Sequence, residues 1–145
     1  MHKDFYASGF LYHPKTQQIL LQQEITADLE PTWSLFGGDG LANETAEETF
    51  KRIINSALRL DIKANAIFQI YNYFHEDKKK DNFIYYAKVR KMEKFESNEK
   101  VTYSWFTFKE IQKLRIPNKI KQDIIVGQRV IDSAIRRSLG QQTID

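Results

Sequence analysis

Residues 33–60 read WSLFGGDGLANETAEETFKRIINSALRL, and this stretch decides the fold. Thr45 with Glu48 three residues later is a capping-box pattern, and Glu44, Glu47 and Glu48 all suit the positive end of a helix dipole. Ala46, Phe50, Ile53, Ile54, Ala57 and Leu58 then recur at helical spacing, filling one arc of roughly 140° at about 100° per residue. Lys51, Arg52, Asn55, Ser56 and Arg59 fall outside that arc. A helix is therefore expected over residues 45–59. Upstream, residues 32–36 read as a short strand running into Gly37-Gly38-Asp39-Gly40. Three glycines in four residues predict tight or left-handed turns there.

Working outward, residues 5–12 are aromatic and apolar, stop at His13-Pro14, and pair naturally with a second strand at Ile19-Leu20-Leu21. Residues 24–31 are polar and acidic, as a loop would be. Residues 66–75 and 82–90 are aromatic-rich runs around a polar loop at 76–81, and they predict paired antiparallel strands. On the second of them Phe83, Tyr85, Ala87 and Val89 share one face, with Ile84, Tyr86, Lys88 and Arg90 opposite. A further strand at 101–106 leads to a short helix at 108–114, broken by Arg115-Ile116-Pro117. A long closing helix follows at 119–139, with Ile120, Ile124, Ile131, Ala134 and Ile135 on its apolar stripe. Residues 141–145 are expected to fray. The order of elements implies an α+β layout, a mixed β-sheet between helices, as one domain over residues 1–145.

Composition narrows the function classes. The chain has 145 residues, 41% of them hydrophobic and 28% charged, which is ordinary for a soluble globular domain. With no cysteine there are no disulfides, thiolate metal sites or cysteine nucleophiles, and a cytoplasmic location fits. No stretch approaches the roughly 18 uncharged apolar residues of a membrane span. The net charge of +3 is small and spread out apart from Lys78-Lys79-Lys80, a run that reads more simply as a solvated turn than as a nucleic-acid site. His2, His13 and His75 are far apart, and no pair of them has metal-ligand spacing.

Trp33-Ser34-Leu35-Phe36-Gly37-Gly38, Glu44-Thr45 and Arg52 together resemble the Nudix hydrolase family. Five residues separate Gly38 from Glu44 and seven separate Glu44 from Arg52, as in the family's signature, and Ile54 and Leu60 fill its two bulky aliphatic positions. Residues 103–111 look like the family's late strand leading into a short helix, so the likeness covers about residues 5–135. The resemblance implies a Nudix-like α/β/α sandwich in which Glu44 and Arg52 link loop to helix. It also implies a glutamate directly after the arginine and a glutamate pair three and four positions further on, coordinating magnesium or manganese. Here those positions hold Ile53, Ser56 and Ala57, and the family's final glycine is Arg59.

The chemistry of that departure is direct. Magnesium needs hard oxygen ligands, and neither an isoleucine nor an alanine supplies one. No metal cofactor is expected, magnesium or manganese entering only for an active enzyme with displaced ligands. Glu47 and Glu48 are explained by the helix start, and Glu93, Glu96 and Glu99 by a solvated loop. Gly38, Glu44, Arg52, Ile53, Ser56 and Ala57 are thus vestigial positions of a signature without catalytic residues. Among the aromatic residues, Tyr73 and Tyr85 are the candidates to stack a nucleotide-type ligand, against a core role for Tyr71, Tyr86 and Trp105. Three function classes follow: an inactive domain binding a nucleotide-type ligand or a protein partner; an active hydrolase of nucleoside-diphosphate-linked substrates; and a nucleic-acid module built on Lys78–Lys80 and residues 88–91. The first is expected, with an apolar patch at Ile53 and Ala57 covered by the C-terminal helix or by a second copy of the chain.

Overall fold

Strand β1, Phe5–His13, lies at the centre of a seven-stranded mixed sheet in a computed structural model that describes residues 4–25 and 30–140. The strand is buried on both faces from Ala7 onward, as its nearly unbroken apolar character demands. It turns through Pro14–Gln17 into β2, Gln18–Glu24, in the antiparallel hairpin expected from the sequence, with Leu11 opposite Leu20. On the other edge β1 runs parallel to β6, Lys80–Lys88, from Phe5 against Asp81 to Tyr12 against Lys88. β5, Ile67–His75, pairs antiparallel with β6 and forms that edge of the sheet.

The first edge of β1 changes partner midway. Its end pairs with β2, whereas Tyr6 to Gly9 pair with β4, Phe36–Asp39. Beyond Leu21, β2 pairs instead with β3, Trp33–Ser34, and along its outer edge with β7, Val101–Thr107. This exchange of partners opens a cleft beside Tyr6, Ser8, Gln22 and Ser34.

Helix α1, Ala46–Leu58, covers one face of the sheet, and α3, Asn118–Ser138, covers the other. The predicted capping box is present: the Thr45 hydroxyl accepts from the Glu48 amide and the Glu48 carboxylate from the Thr45 amide, an arrangement that stabilises a helix by about 1 kcal/mol. Phe50, Ile54 and Leu58 pack beneath α1 with Leu11, Leu20, Phe36, Tyr85 and Ala87. Phe10, Tyr12, Ile19, Leu21, Ile84 and Tyr86 meet Ile124 and Ile131 of α3. The alternation read from β6 is borne out, Phe83, Tyr85 and Ala87 facing α1 and Ile84 and Tyr86 facing α3. Each fully buried side chain of this size stabilises the fold by roughly 1.5–3 kcal/mol.

Three expectations need correcting. Gly37 and Gly38 do not turn; they are extended residues of β4 paired with Ser8 and Ala7. Gly37 serves close approach, since a Cβ there would lie 2.7 Å from Ser8 Cβ; a Cβ on Gly38 would lie 2.9 Å from Ile53 Cδ1, the movable end of that side chain. The short helix α2 ends early, spanning Phe108–Ile111 before isolated turns carry the chain to Leu114. Finally, α3 lies across the sheet from α1, so it does not cover Ile53 and Ala57. His2, the loop positions 26–29 and the fraying expected at 141–145 fall outside the described residues. Among the described residues no helix is long and apolar enough to cross a membrane.

Candidate functional site

The loop between β4 and α1 is fixed by one carboxylate. Glu44 accepts from Arg52 Nε at 2.7 Å and Nη2 at 3.1 Å, from the Leu41 amide at 2.9 Å and from the Thr49 hydroxyl at 2.8 Å. Arg52 also donates to the Asp39 carbonyl at 3.2 Å, closing the loop onto the helix. The Arg52 guanidinium, aided by the Leu41 and Thr49 donors, drops the Glu44 pKa to about 2. This pair orders the backbone that follows Gly38.

One turn further on, the same helix has no ligand set. Ile53 is half-buried with its Cδ1 against Gly38, and Ser56 and Ala57 are exposed. Arg59 ends the helix in the left-handed region at φ 54°, a conformation that favours the glycine of the Nudix signature. The loop from Glu93 to Lys100 folds over this end of α1. Trp105 donates to the Glu93 carbonyl at 2.8 Å, and Phe95 sets its edge against Tyr103, which stacks on Phe36. The resulting hollow of about 420 Å³ has Glu96 as its one carboxylate, opposed by Arg59 and Lys94. Such a lining does not fit a divalent cation. Near Gly38 the acidic side chains are otherwise engaged, Asp39 with Lys80 at 2.9 Å and Glu44 with Arg52. Among the described residues no three His, Asp or Glu side chains converge as metal ligands. The apolar face expected at Ile53 and Ala57 is therefore a partly covered isoleucine beside a loop-lined hollow.

The second feature is the cleft where β1 exchanges partners. About 510 Å³ in volume, it is lined by Tyr6 and Ser8 of β1, Gln22 and Glu24 of β2, Ser34, Leu35 and Gly37, Tyr73 and His75 of β5, Asn82 of β6 and the first turns of α3. Its floor is a polar network. Asp123, only 2% exposed, accepts from the Tyr71 hydroxyl at 2.6 Å and the Tyr73 hydroxyl at 3.1 Å, while Asn82 donates to the Tyr73 oxygen at 3.0 Å. Burial raises the Asp123 pKa against the lowering effect of its two tyrosine donors. Burial also pushes both tyrosines well above the ordinary phenol range, with the Asp123 charge adding to the shift. At the mouth, Lys119 sits 3.7 Å from the Tyr73 ring centroid and Lys78 4.1 Å from that of Tyr6. Asp77 also lines the cleft, and no buried side-chain nitrogen or oxygen among the described residues lacks a partner.

The structure separates the two aromatic candidates. Tyr73 lines the cleft, whereas Tyr85 is 5% exposed on the opposite face, stacked on Phe50 at 5.7 Å, where burial pushes its pKa up to about 12. Gly38 joins them only indirectly, as the neighbour of cleft-lining Gly37. The lysine run serves its own surroundings: Lys78 covers Tyr6, Lys79 lies 3.8 Å from Glu76, and Lys80 binds Asp39. Sequence reasoning missed Asp123 and Asn82. Asp123 was findable, because it continues the α3 stripe of Ile120 and Ile124 as a lone charge at a buried helical position. Asn82 carries no comparable signal.

No protein-family model and no curated protein matches the sequence. Solved structures do match in shape. The NUDIX domain of Shewanella oneidensis NrtR, in complex with ADP ribose, is 14% identical over 90% of each chain, with a TM-score of 0.69. A MutT structure from a study of Aliivibrio salmonicida and Vibrio cholerae is 13% identical over 90% of this chain and 99% of its own, at 0.65. A MutT/nudix family protein from Enterococcus faecalis is 20% identical at 0.57; the match covers 73% of this chain and 44% of that longer one. At these identities the likeness is one of architecture, and the chain has the Nudix fold.

Proposed function

We propose that this Nudix-fold chain binds a nucleotide-type ligand in the cleft between β1, β3–β4, β5 and α3, and that it is not a metal-dependent pyrophosphohydrolase. One contrast carries the reading: the cleft keeps a fully partnered polar floor with lysines at its mouth, while the α1 face keeps no carboxylate at Ile53, Ser56 or Ala57. A pocket of this size with a few fixed polar groups and aromatic walls suits a nucleoside, and the Lys78 and Lys119 cations at its mouth suit phosphate oxygens. The ADP-ribose complex of the NrtR domain lends the ligand class support. Without the metal, the terms that activate water and neutralise a pyrophosphate are lost together.

Calorimetric titration of ADP-ribose, ADP and nucleoside triphosphates in EDTA tests the reading. Saturable binding is expected without a divalent ion, weakened about tenfold or more when Lys78 and Lys119 are both changed to alanine. Absence of binding across the panel, or binding that needs magnesium and is followed by phosphate release, would contradict it.

A further inference from the structure

We infer that the opposite end of the same two parallel strands holds a second ligand site, built for a small molecule that carries phosphate beside a planar ring, such as a free nucleotide. The cleft lies at Ser8 and Asn82. The second hollow lies at His13 and at Lys88 to Arg90, roughly 17 Å further along β1 at about 3.3 Å per residue. The two share no lining residue.

The hollow has a volume of about 510 Å³, within the range of roughly 300–1,000 Å³ typical of small-molecule sites. Its charges are all of one sign. Lys15, Lys88 and Arg90 line it, and no aspartate or glutamate does. Among the described residues none of these three cations has an ion-pair partner, in contrast to Lys79 and Lys80 in the other basic run. Cations gathered around one concavity repel each other, and a bound dianion relieves that repulsion.

The aromatic half of the site is equally specific. Phe68 is 36% exposed on the wall of the hollow although most large apolar side chains of this chain are covered. Its ring stacks on Tyr86 with centroids 5.3 Å apart and planes at 25°, so the core fixes the ring from one side. Lys88 Nζ lies over the Phe68 ring, 4.9 Å from its centroid, a flexible cation that a phosphate would draw aside as a base took its place on the ring.

The scaffold beneath is fixed. His13 is buried, accepts from the Thr16 amide at Nδ1 (3.3 Å) and donates from Nε2 to the Arg90 carbonyl at 3.1 Å. The Val89 amide donates to the Tyr12 carbonyl at 3.0 Å. Together these bonds set the point at which Arg90 leaves the sheet. The site needs no contribution from the cleft, so it stands or falls independently of the proposed function.

Amide NMR spectra of the full chain, titrated separately with ADP, pyrophosphate and adenosine, test the inference. ADP is expected to shift the amides of Lys15, Phe68 and Lys88 to Arg90 as a set distinct from the cleft amides. Lys88→Glu combined with Arg90→Glu, both exposed, should weaken that set about tenfold or more while the cleft amides keep their positions and titrate unchanged. Phe68→Ala should weaken ADP about fivefold or more at this set and leave pyrophosphate unaffected. Silence of these amides toward ADP would overturn the site. Equal binding of ADP and pyrophosphate, indifferent to Phe68→Ala, would overturn the base platform. Tighter binding of a short single-stranded oligonucleotide than of ADP would overturn the small-molecule assignment.

Discussion

The segment from Gly38 to Leu60 divides at Arg52 into two halves that differ in what their side chains hold. Up to Arg52 every interaction that shapes the loop and starts the helix is present: the capping box, the four donors converging on Glu44, and Gly38 making room for Ile53. Beyond Arg52 the helix continues without a break, yet the positions that would hold a metal carry Ile53, Ser56 and Ala57. The difference shows that the signature contains two separable devices. One is a fastening of loop to helix that contributes to folding; the other is a row of carboxylates that costs stability through mutual repulsion and repays it only when a cation is bound.

This comparison can be broken or sharpened by mutation, beginning with the cleft floor as a reference for a buried carboxylate. Asp123→Ala strands two tyrosine hydroxyls beneath α3 and should destabilise the chain by about 2–4 kcal/mol in urea unfolding, with Asp123→Asn losing less. Next comes the retained half of the signature. Glu44→Ala removes four hydrogen bonds and should cost on the order of 2 kcal/mol at neutral pH.

The pH dependence of these two carboxylates has opposite sign. Glu44 has its pKa lowered on folding from 4.5 to about 2, so its contribution is present above pH 4.5 and is lost as pH falls toward 2. The stability gap between wild type and Glu44→Gln should close over that interval. The Asp123 pKa is raised, so its contribution is present below 3.8 and is lost as pH rises through the folded value.

Smaller effects are expected in the other half. Arg59→Gly should stabilise by about 1 kcal/mol, because the helix ends there in a left-handed conformation that glycine adopts without strain. Ser56→Ala, at an exposed position with no ligand to hold, should stay within about 0.5 kcal/mol in stability and leave nucleotide affinity unchanged in calorimetry. A large loss at Ser56 would mean that this face still carries a function.

Most of the fold was legible because its signals are local. Period-two alternation placed the two faces of β6, the Thr45–Glu48 spacing started α1, and Pro117 and the apolar stripe marked α3. The parts that were not legible depend on contacts distant in sequence. Gly37 and Gly38 look like turn residues until β1 is known to lie against them, and the parallel pairing of β1 with β6 has no local signature. The candidate site divided in the same way. The missing carboxylates could be read directly from three letters, whereas the cleft assembles Ser8, Asn82 and Asp123 from strands and a helix far apart in the chain. Tyr73 and Tyr85 have the same residue type and a similar setting in sequence, and only the register of β5 on β6 puts one in the cleft and the other in the core.

The most direct test of the central claim is titration of manganese into the purified protein by calorimetry, with phosphate release from ADP-ribose followed in parallel. An α1 face with Ile53, Ser56 and Ala57 in these places predicts no saturable metal binding and no phosphate release, with ADP-ribose still binding in EDTA. Saturable manganese binding accompanied by turnover would contradict it and would require a ligand set away from Ile53, Ser56 and Ala57.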